Sequence, residues 1–190
     1  MATTTAEPVG QDEATTPAEL VRDFANTIDV EDDVDLLDSP AGLTQWLREH
    51  ELLRRGTADN AALDLALRLR TEIRSALSDH HDGVERPHAK LERIASELPM
   101  RLTFPAGDPV LVPASDGVRA ALGHVVVAMA RTEADGTWQR LKLCREDTCQ
   151  WAFLDTSKNR SRTWCSMGIC GNRNKTRAYR SRQRPDAEDA

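Results

Sequence analysis

The sequence predicts an α+β protein: a mainly helical N-terminal region with one small β-hairpin, followed by a short four-cysteine module. Three observations predict this. Apolar residues recur at helical spacing through most of the first hundred residues, two short β-branched runs follow, and all 4 cysteines lie after residue 140. The length of 190 residues and the 39% hydrophobic content are typical of a chain with one or two globular domains.

Helix starts are predicted where a capping residue precedes proline or an apolar periodic run. Such signals occur at Thr16-Pro17, at Ser39-Pro40, at Asp59 or Thr57, and at about Pro87. Gly83 is expected to end the third helix and Pro99 the fourth. The acidic run at 31–35 lacks the spacing of a calcium-binding loop, so we interpret it as a solvated loop.

The predicted hairpin consists of MRLTF and PVLVP, which are joined by a Pro-Ala-Gly-Asp turn. Asp116 can then cap a fifth helix that is apolar nearly all round and is therefore expected to be buried. His124 lies on this helix, and we expect it to be a hydrogen-bonded core residue. The polar stretch 132–137 marks the predicted domain boundary.

Charge divides the chain into two parts. Residues 1–137 contain 13 Lys/Arg and 25 Asp/Glu, a balance of −12, whereas residues 138–184 contain 12 and 3, a balance of +9. The last six residues contribute −3, which gives the total of −6. Such a split predicts two modules with different partners.

The cysteines form two close pairs, Cys144 with Cys149 and Cys165 with Cys170, separated by a spacer of hairpin length. This pattern predicts a tetrahedral four-thiolate zinc site, with two disulfides or free buried thiols as the alternatives. One zinc ion is expected, and its role is structural, because four thiolates leave no position for water or substrate.

Within the cysteine module, Gln150–Asp155 is predicted to be a strand and Arg162–Cys165 its return strand, with a turn at 156–161. Asn172 can start a helix that runs to about Arg184, before Pro185. The order of knuckle, hairpin and helix is that of a treble-clef or zinc-ribbon-like finger.

The last helix carries two basic stripes. Arg173, Arg177 and Arg180 recur at helical spacing, and the second stripe, which we expect to lie beside the first on one broad face, includes Lys175. A solvated surface is the usual explanation of a charge run, but few acids are available here to pair with it. We therefore predict a nucleic-acid interface. Its candidate residues are Lys158, Arg160, Arg162, Arg173, Lys175, Arg177 and Arg180.

Other function classes have less support in the sequence. No Gly-rich phosphate loop, nucleophile elbow or metal-ligand spacing of histidines is present, so we predict that the protein is not an enzyme. No apolar run reaches the length of a membrane span, and the N-terminus does not resemble a secretory signal. We expect a cytoplasmic protein with a disordered tail at 1–16 and an acidic tail at 185–190.

Residues 141–182 resemble the CGNR zinc finger, which is named for the four residues seen here as Cys170-Gly171-Asn172-Arg173. The similarity includes FLDTS at 153–157, NRSR at 159–162 and WCSM at 164–167. The N-terminal part is similar to the ABATE domain of stress-induced transcription regulators, through FANTID at 24–29, DLL at 35–37, 39–47 and 66–77.

This resemblance implies a DNA-binding finger at 138–184 and a partner domain at 17–134 that senses a small molecule. The leading hypothesis is therefore a DNA-binding transcription regulator, modulated by a ligand, by homodimer formation or by another protein. An RNA-binding or ribosome-associated zinc protein is the alternative, because phosphate contacts alone do not distinguish the two polymers.

If the partner domain binds a small-molecule effector, polar residues on apolar helices are expected to line the site. Asn26, Asp29, Arg70 and Arg74 are the candidates, since buried polar groups need partners and an arginine among leucines needs an anion. The alternative is structural: Asn26 and Asp29 as polar groups at a helix end, and Arg70 paired with a nearby acid.

Overall fold

The computed structural model describes residues 15–183. The expected N-terminal tail lies almost wholly outside this range, as do Arg184 and the expected acidic tail. The helices are α1 (Pro17–Ala25), α2 (Pro40–Glu49), α3 (Asn60–Asp82), α4 (Ala89–Ser96), α5 (Gly117–Ala134) and α6 (Asn172–Arg182). The strands are β1 (Ile28–Asp29), β2 (Val34–Asp35), β3 (Met100–Thr103), β4 (Val110–Pro113), β5 (Leu141–Leu143) and β6 (Ala152–Leu154). The predicted α+β class is confirmed.

The predicted helix starts are confirmed for α1, α2 and α3. Thr16 and Glu19 form a reciprocal capping box, while the Ser39 and Asp59 side chains accept hydrogen bonds from Gly42 N and Ala62 N. Gly83 ends α3 in the left-handed conformation, with φ of 66°. Helix α4 starts two residues later than expected, at Ala89, after His88, whose side chain makes no capping hydrogen bond.

The core is formed mainly by α1, α3 and α5, with α2 packed alongside. Phe24 of α1 is fully buried and meets the Trp46 ring edge-on, with the ring centroids 5.3 Å apart. Helix α5 is buried mainly between Ala121 and Ala128, whereas its two ends are largely exposed, so the prediction of a buried helix holds for its central part. The expectation for His124 is wrong, because its side chain lies on the exposed side of α5. Among residues 15–183, no helix has both the length and the apolar character that crossing a bilayer requires.

Two hairpins belong to the N-terminal region. Strands β3 and β4 form the predicted one, with Met100 opposite Pro113, and it packs against α5 at Gly123. A Cβ atom at Gly123 would lie only 3.1 Å from Pro113, so glycine permits this close approach. The second hairpin, β1–β2, is shorter and was not predicted. It presents the acidic loop 30–33, in which Asp29 accepts hydrogen bonds from the main-chain nitrogens of Glu31 and Asp32.

The four-cysteine module shares its core with the N-terminal region. Leu141 of β5 and Ala152 of β6 are completely buried and belong to the same apolar cluster as Phe24 and Ile73. Strand β5 lies against α3 and β6 against α1. Strands β5 and β6 thus extend the apolar cluster of the N-terminal region past the predicted boundary at 132–137, while Cys144, Cys149 and Cys170 form a separate, smaller cluster.

One element of the module differs from the prediction. Strand β6 pairs with β5, with Lys142 opposite Phe153, and the segment Arg162–Cys165 is not a strand. The physical reason is Asp155, a fully buried carboxylate that accepts hydrogen bonds from Ser157, Lys142 and the main chain of Arg162. These bonds fold the chain after β6 into a loop around the carboxylate.

Candidate zinc centre and nucleic-acid interface

The four cysteine side chains converge on one point. Their sulfur atoms all lie within 4.8 Å of one another, and the Sγ atoms of Cys149 and Cys165, and of Cys165 and Cys170, are 3.7 Å apart. Disulfide-bonded sulfurs would be about 2.05 Å apart, so the thiols are free.

This geometry fits zinc. Four sulfurs at about 2.3 Å from a tetrahedral Zn²⁺ are separated from one another by roughly 3.8 Å, close to the distances found here. The four side chains are buried or half-buried. One structural zinc ion is therefore the cofactor, and Cys144, Cys149, Cys165 and Cys170 are the residues that would hold it.

Two local structures bring the thiols together. Cys144 and Cys149 flank the turn between β5 and β6, where Glu146 O accepts hydrogen bonds from Cys149 N and Gln150 N, and Gln150 has a positive φ of 49°. Cys170 lies within a π-helical turn, Met167–Gly171, that leads directly into α6. Cysteine ligands on both structures would therefore let a bound zinc ion fix the start of α6 relative to the hairpin.

Burial and mutual crowding raise the pKa of the Cys165 and Cys170 thiols well above the ordinary value. Without a metal, the Cys165 and Cys170 thiols would remain protonated at neutral pH. Because zinc binds thiolates, metal binding must release these protons, and it is coupled to the folding of the module.

Arg177 faces the zinc knuckle. Its guanidinium donates a hydrogen bond of 2.6 Å to Glu146 Oε1, and the Glu146 side chain is completely buried between the first two cysteines. This bond is the main cause of the lowered pKa of Glu146. Arg177 thus links α6 to the turn that holds Cys144 and Cys149.

Arg173 also has an acidic partner. Its guanidinium lies 2.6 Å from the carboxylate of Glu31, in the acidic loop of the β1–β2 hairpin. Both side chains remain partly exposed. A residue predicted to bind a nucleic acid is therefore in contact with the most acidic loop of the N-terminal region.

The two basic stripes of α6 do not form one broad face. Arg173 and Lys175 are two residues apart, which corresponds to about 200° of rotation around an α-helix. The stripe of Arg173, Arg177 and Arg180 therefore lies on the opposite side of α6 from the stripe of Lys175, Tyr179 and Arg182. The prediction that the two stripes are adjacent is wrong.

The loop after β6 contributes cations of two kinds. Arg162 is half-buried, donates to the carbonyl of Cys165 at 2.6 Å, and lies over the Phe153 ring, so its role is internal. Lys158 and Arg160 are exposed. Lys142 donates to the Arg160 carbonyl oxygen at 2.5 Å, which fixes the backbone of the loop.

The acids of the module are mostly internal. Glu146 and Asp155 are both completely buried, and Asp147 is the one exposed acid of residues 138–183. Hydrogen bonds from Ser157 and Lys142 outweigh the effect of burial on Asp155 and hold its pKa far below the ordinary value. Each buried acid pairs with one cation of the module, Glu146 with Arg177 and Asp155 with Lys142, which leaves Asp147 as the one exposed acid among the described cations. Sequence reasoning missed both structural acids, since neither lies in a pattern that identifies its partner.

The residues predicted to line an effector site make internal contacts. Arg70 pairs with Asp35 at 2.6 and 2.7 Å and also donates to Thr27, which matches the structural alternative for this residue. Asp29 caps the acidic loop. Asn26 and Arg74 bind main-chain atoms of residues 150–152 in the four-cysteine module. These contacts give no support to an effector site, and the ligand role of the four residues stays a prediction.

The fold and the site together define a four-cysteine zinc-finger protein with a helical N-terminal region. Residues 140–183 match the model of the CGNR zinc finger, and residues 18–137 match that of the ABATE family, described as "Putative stress-induced transcription regulator". The second match covers more than half of the chain, so the chain belongs to the ABATE family and carries a CGNR zinc finger. No curated protein matches it.

Proposed function

We propose that the protein is a zinc-dependent transcription regulator whose finger binds DNA. The observation that carries the proposal is the excess of cations in the finger: 12 Lys/Arg stand against 3 Asp/Glu in residues 138–184, and the two buried acids each pair with a single cation, Glu146 with Arg177 and Asp155 with Lys142. Phosphates would neutralise these cations and release counterions. The order of knuckle, loop and helix supports a treble-clef class for the finger, and a reduced thiolate site accords with a cytoplasmic location.

The exposed cations of the finger differ in whether an acidic residue already pairs with them and so competes with phosphates. Among residues 15–183, no acid lies within ion-pairing distance of Lys158, Arg160, Lys175 or Arg180. Arg177 forms an ion pair with the buried Glu146, and Arg173 forms an exposed ion pair with Glu31. The proposed contacts are therefore made chiefly by the first four, with Arg173 joining them when it leaves Glu31.

The N-terminal region restricts where the polymer can bind. Its balance of −12 repels phosphates from its own surface and so directs them to the finger. Family membership supports the regulatory part of the proposal, and regulation by a small-molecule effector or by homodimer formation belongs to the same proposal.

The decisive experiment compares duplex DNA, structured RNA and single strands in one binding assay at two salt concentrations. The test variant replaces Lys158, Arg160 and Lys175 by Ala. The control replaces Arg54, Arg55 and Arg101, which are exposed in the N-terminal region and give the same change of charge. The test variant should weaken duplex DNA binding and lower the slope of log affinity against log salt by about one for each lost contact.

The control variant should leave that slope unchanged. Equal binding by the zinc-loaded test variant and the parent protein would overturn the proposal. Tighter binding of structured RNA than of duplex DNA would replace DNA by RNA as the partner.

A further inference from the structure

Side chains of the N-terminal region hold the main chain of the zinc knuckle. The buried Asn26, at the end of α1, donates from Nδ2 to Ala152 O at 3.0 Å and accepts from Ala152 N at 2.7 Å. This amide pairs with β6 as a neighbouring strand would. Ala152 lies three residues after the zinc ligand Cys149.

Arg74 of α3 makes a second link. Its guanidinium donates to Ala25 O in α1 at 2.9 Å and to Gln150 O at 3.0 Å. Gln150 is the residue directly after Cys149. One half-buried side chain thus joins α3, the end of α1 and the zinc knuckle.

Arg74 lies in an unusual electrostatic environment. No acid pairs with it among residues 15–183, in contrast to its neighbour Arg70, which pairs with Asp35. Burial lowers the pKa of Arg74, and the Arg70 cation acts in the same direction, whereas the Cys149 sulfur acts in the opposite one. A partly buried cation needs a compensating charge, and four thiolates around one divalent ion provide an excess of negative charge.

We infer that Asn26 and Arg74 are positioning residues of the zinc centre: the N-terminal region contributes to the metal affinity of the finger, and loss of zinc is transmitted back to α1 and α3. Asn26 fixes the edge of β6. Arg74 fixes the turn directly after Cys149 and brings a positive charge to that turn. The inference does not depend on which polymer the finger binds.

The shared core makes the coupling reciprocal. His80 of α3 hydrogen-bonds Leu141 O at 3.1 Å, so β5 is held from the same helix as Gln150. Leu141 and Ala152 are completely buried against α1 and α3. By linkage, residues that tighten zinc binding must be stabilised by zinc to the same extent.

The first test measures zinc affinity in the full chain by competition with a chromogenic chelator. Asn26→Ala and Arg74→Met should each raise the zinc dissociation constant roughly tenfold, because each removes two partly or fully buried hydrogen bonds. Arg68→Met is the matched control on α3, since Arg68 pairs with Asp64 and Glu97 away from the finger. Its zinc affinity should equal that of the parent.

Two further measurements separate positioning from a general loss of stability. Arg74→Lys keeps the charge and should recover part of the affinity. In the cobalt-substituted protein, Arg74→Met should shift the thiolate-to-cobalt charge-transfer band to lower energy, because removal of the cation raises the energy of the sulfur lone pairs. Unchanged affinity in both test variants, or equal affinity losses in Arg74→Lys and Arg74→Met with no band shift, would overturn the inference.

A test on the unaltered chain covers the case in which the variants do not fold. Hydrogen exchange is compared with Zn²⁺ bound and after removal of the metal by a chelator. Amides at the end of α1, around Phe24–Thr27, should lose protection together with those of β6, since Asn26 hydrogen-bonds Ala152 and Ala25 O accepts from Arg74, which also donates to Gln150 O. If protection at the end of α1 is the same with and without zinc, the finger is independent and the inference is wrong.

Discussion

The buried carboxylate of Glu146 joins α6 to the turn that holds Cys144 and Cys149. Its side chain is completely buried, its Oε1 accepts from Arg177 and Thr148, and its Oε2 has no partner among residues 15–183. A buried charge is tolerated when it is paired and becomes costly when the partner is removed. Arg177 is therefore a structural residue of the finger, although its position on a basic helix suggests a phosphate contact.

We expect Arg177→Ala to lower the melting temperature of the zinc-loaded protein and to leave the salt dependence of DNA binding nearly unchanged. The physical reason is that Glu146 loses its charged partner, while no phosphate contact disappears. Thermal unfolding monitored by circular dichroism, beside a salt titration of DNA binding, checks this. The reverse pattern, a lower salt slope at unchanged stability, would make Arg177 a phosphate contact.

The Asp35–Arg70 pair predicts a pH dependence of stability. Burial opposes ionisation of Asp35, but the hydrogen bonds from Arg70 outweigh it, so its pKa lies below the ordinary value of about 3.9. Ionised Asp35 therefore stabilises the fold above that value, and the contribution is lost as the pH falls through the lowered pKa.

Asp35→Asn should accordingly destabilise the protein by about 2 kcal/mol at neutral pH, since Arg70 is nearly buried and loses its partner. The difference from the parent should shrink below about pH 4. Urea unfolding from pH 7 to pH 3, with chelator present throughout so that both proteins are metal-free, measures it. A difference that is constant with pH would exclude the ion pair as its origin.

The four cysteines were predictable at the residue level, whereas the partners of the charged residues were not. Ligand spacing is a local property of the sequence, so Cys144, Cys149, Cys165 and Cys170 could be assigned from spacing alone. The partner of Arg173 is Glu31, and that of Arg74 is the main chain near Cys149. Such contacts depend on how α1, α3 and the finger pack, which periodicity along one helix does not encode.

The helices and strands also divide into those that local sequence signals predict and those that depend on tertiary contacts. Helix starts at Thr16, Ser39 and Asp59 and the β3–β4 hairpin were predicted because capping residues and turns are encoded locally. The expected strand at 162–165 is a loop because the buried Asp155 draws the chain around itself. The β1–β2 hairpin was missed because each strand has only two residues.

That short hairpin places Glu31 against Arg173 of α6, and under the proposed function Glu31 would compete with phosphates for this residue. Glu31→Gln should release Arg173 and strengthen DNA binding only modestly at low salt, about twofold, because an exposed ion pair contributes little. The gain should vanish at high salt, where the pair is screened. Glu51→Gln, an exposed change of the same charge elsewhere in the N-terminal region, is the control.

Fluorescence anisotropy with one labelled duplex measures both variants. If Glu51→Gln strengthens binding as much as Glu31→Gln does, the effect comes from net charge. The contact with Arg173 would then have no specific role.

For the whole molecule, the sequence predicts two modules of opposite charge, and the structure joins them through one apolar cluster. We therefore expect the zinc-loaded chain to unfold in a single transition in scanning calorimetry, with equal calorimetric and van't Hoff enthalpies. Two separate transitions would show that the finger and the N-terminal region unfold independently.

The attachment of the finger through its main chain has a consequence for substitutions in the finger. Asn26, Arg74 and His80 contact backbone atoms of Ala152, Gln150 and Leu141, so these contacts do not depend directly on the side chains of those three residues. The side chains of Lys158, Arg160 and Lys175 take no part in this attachment. Substitutions of these three exposed cations should therefore leave the attachment of the finger unchanged. A chimera that keeps residues 141–152 should tolerate new side chains at positions 158, 160 and 175.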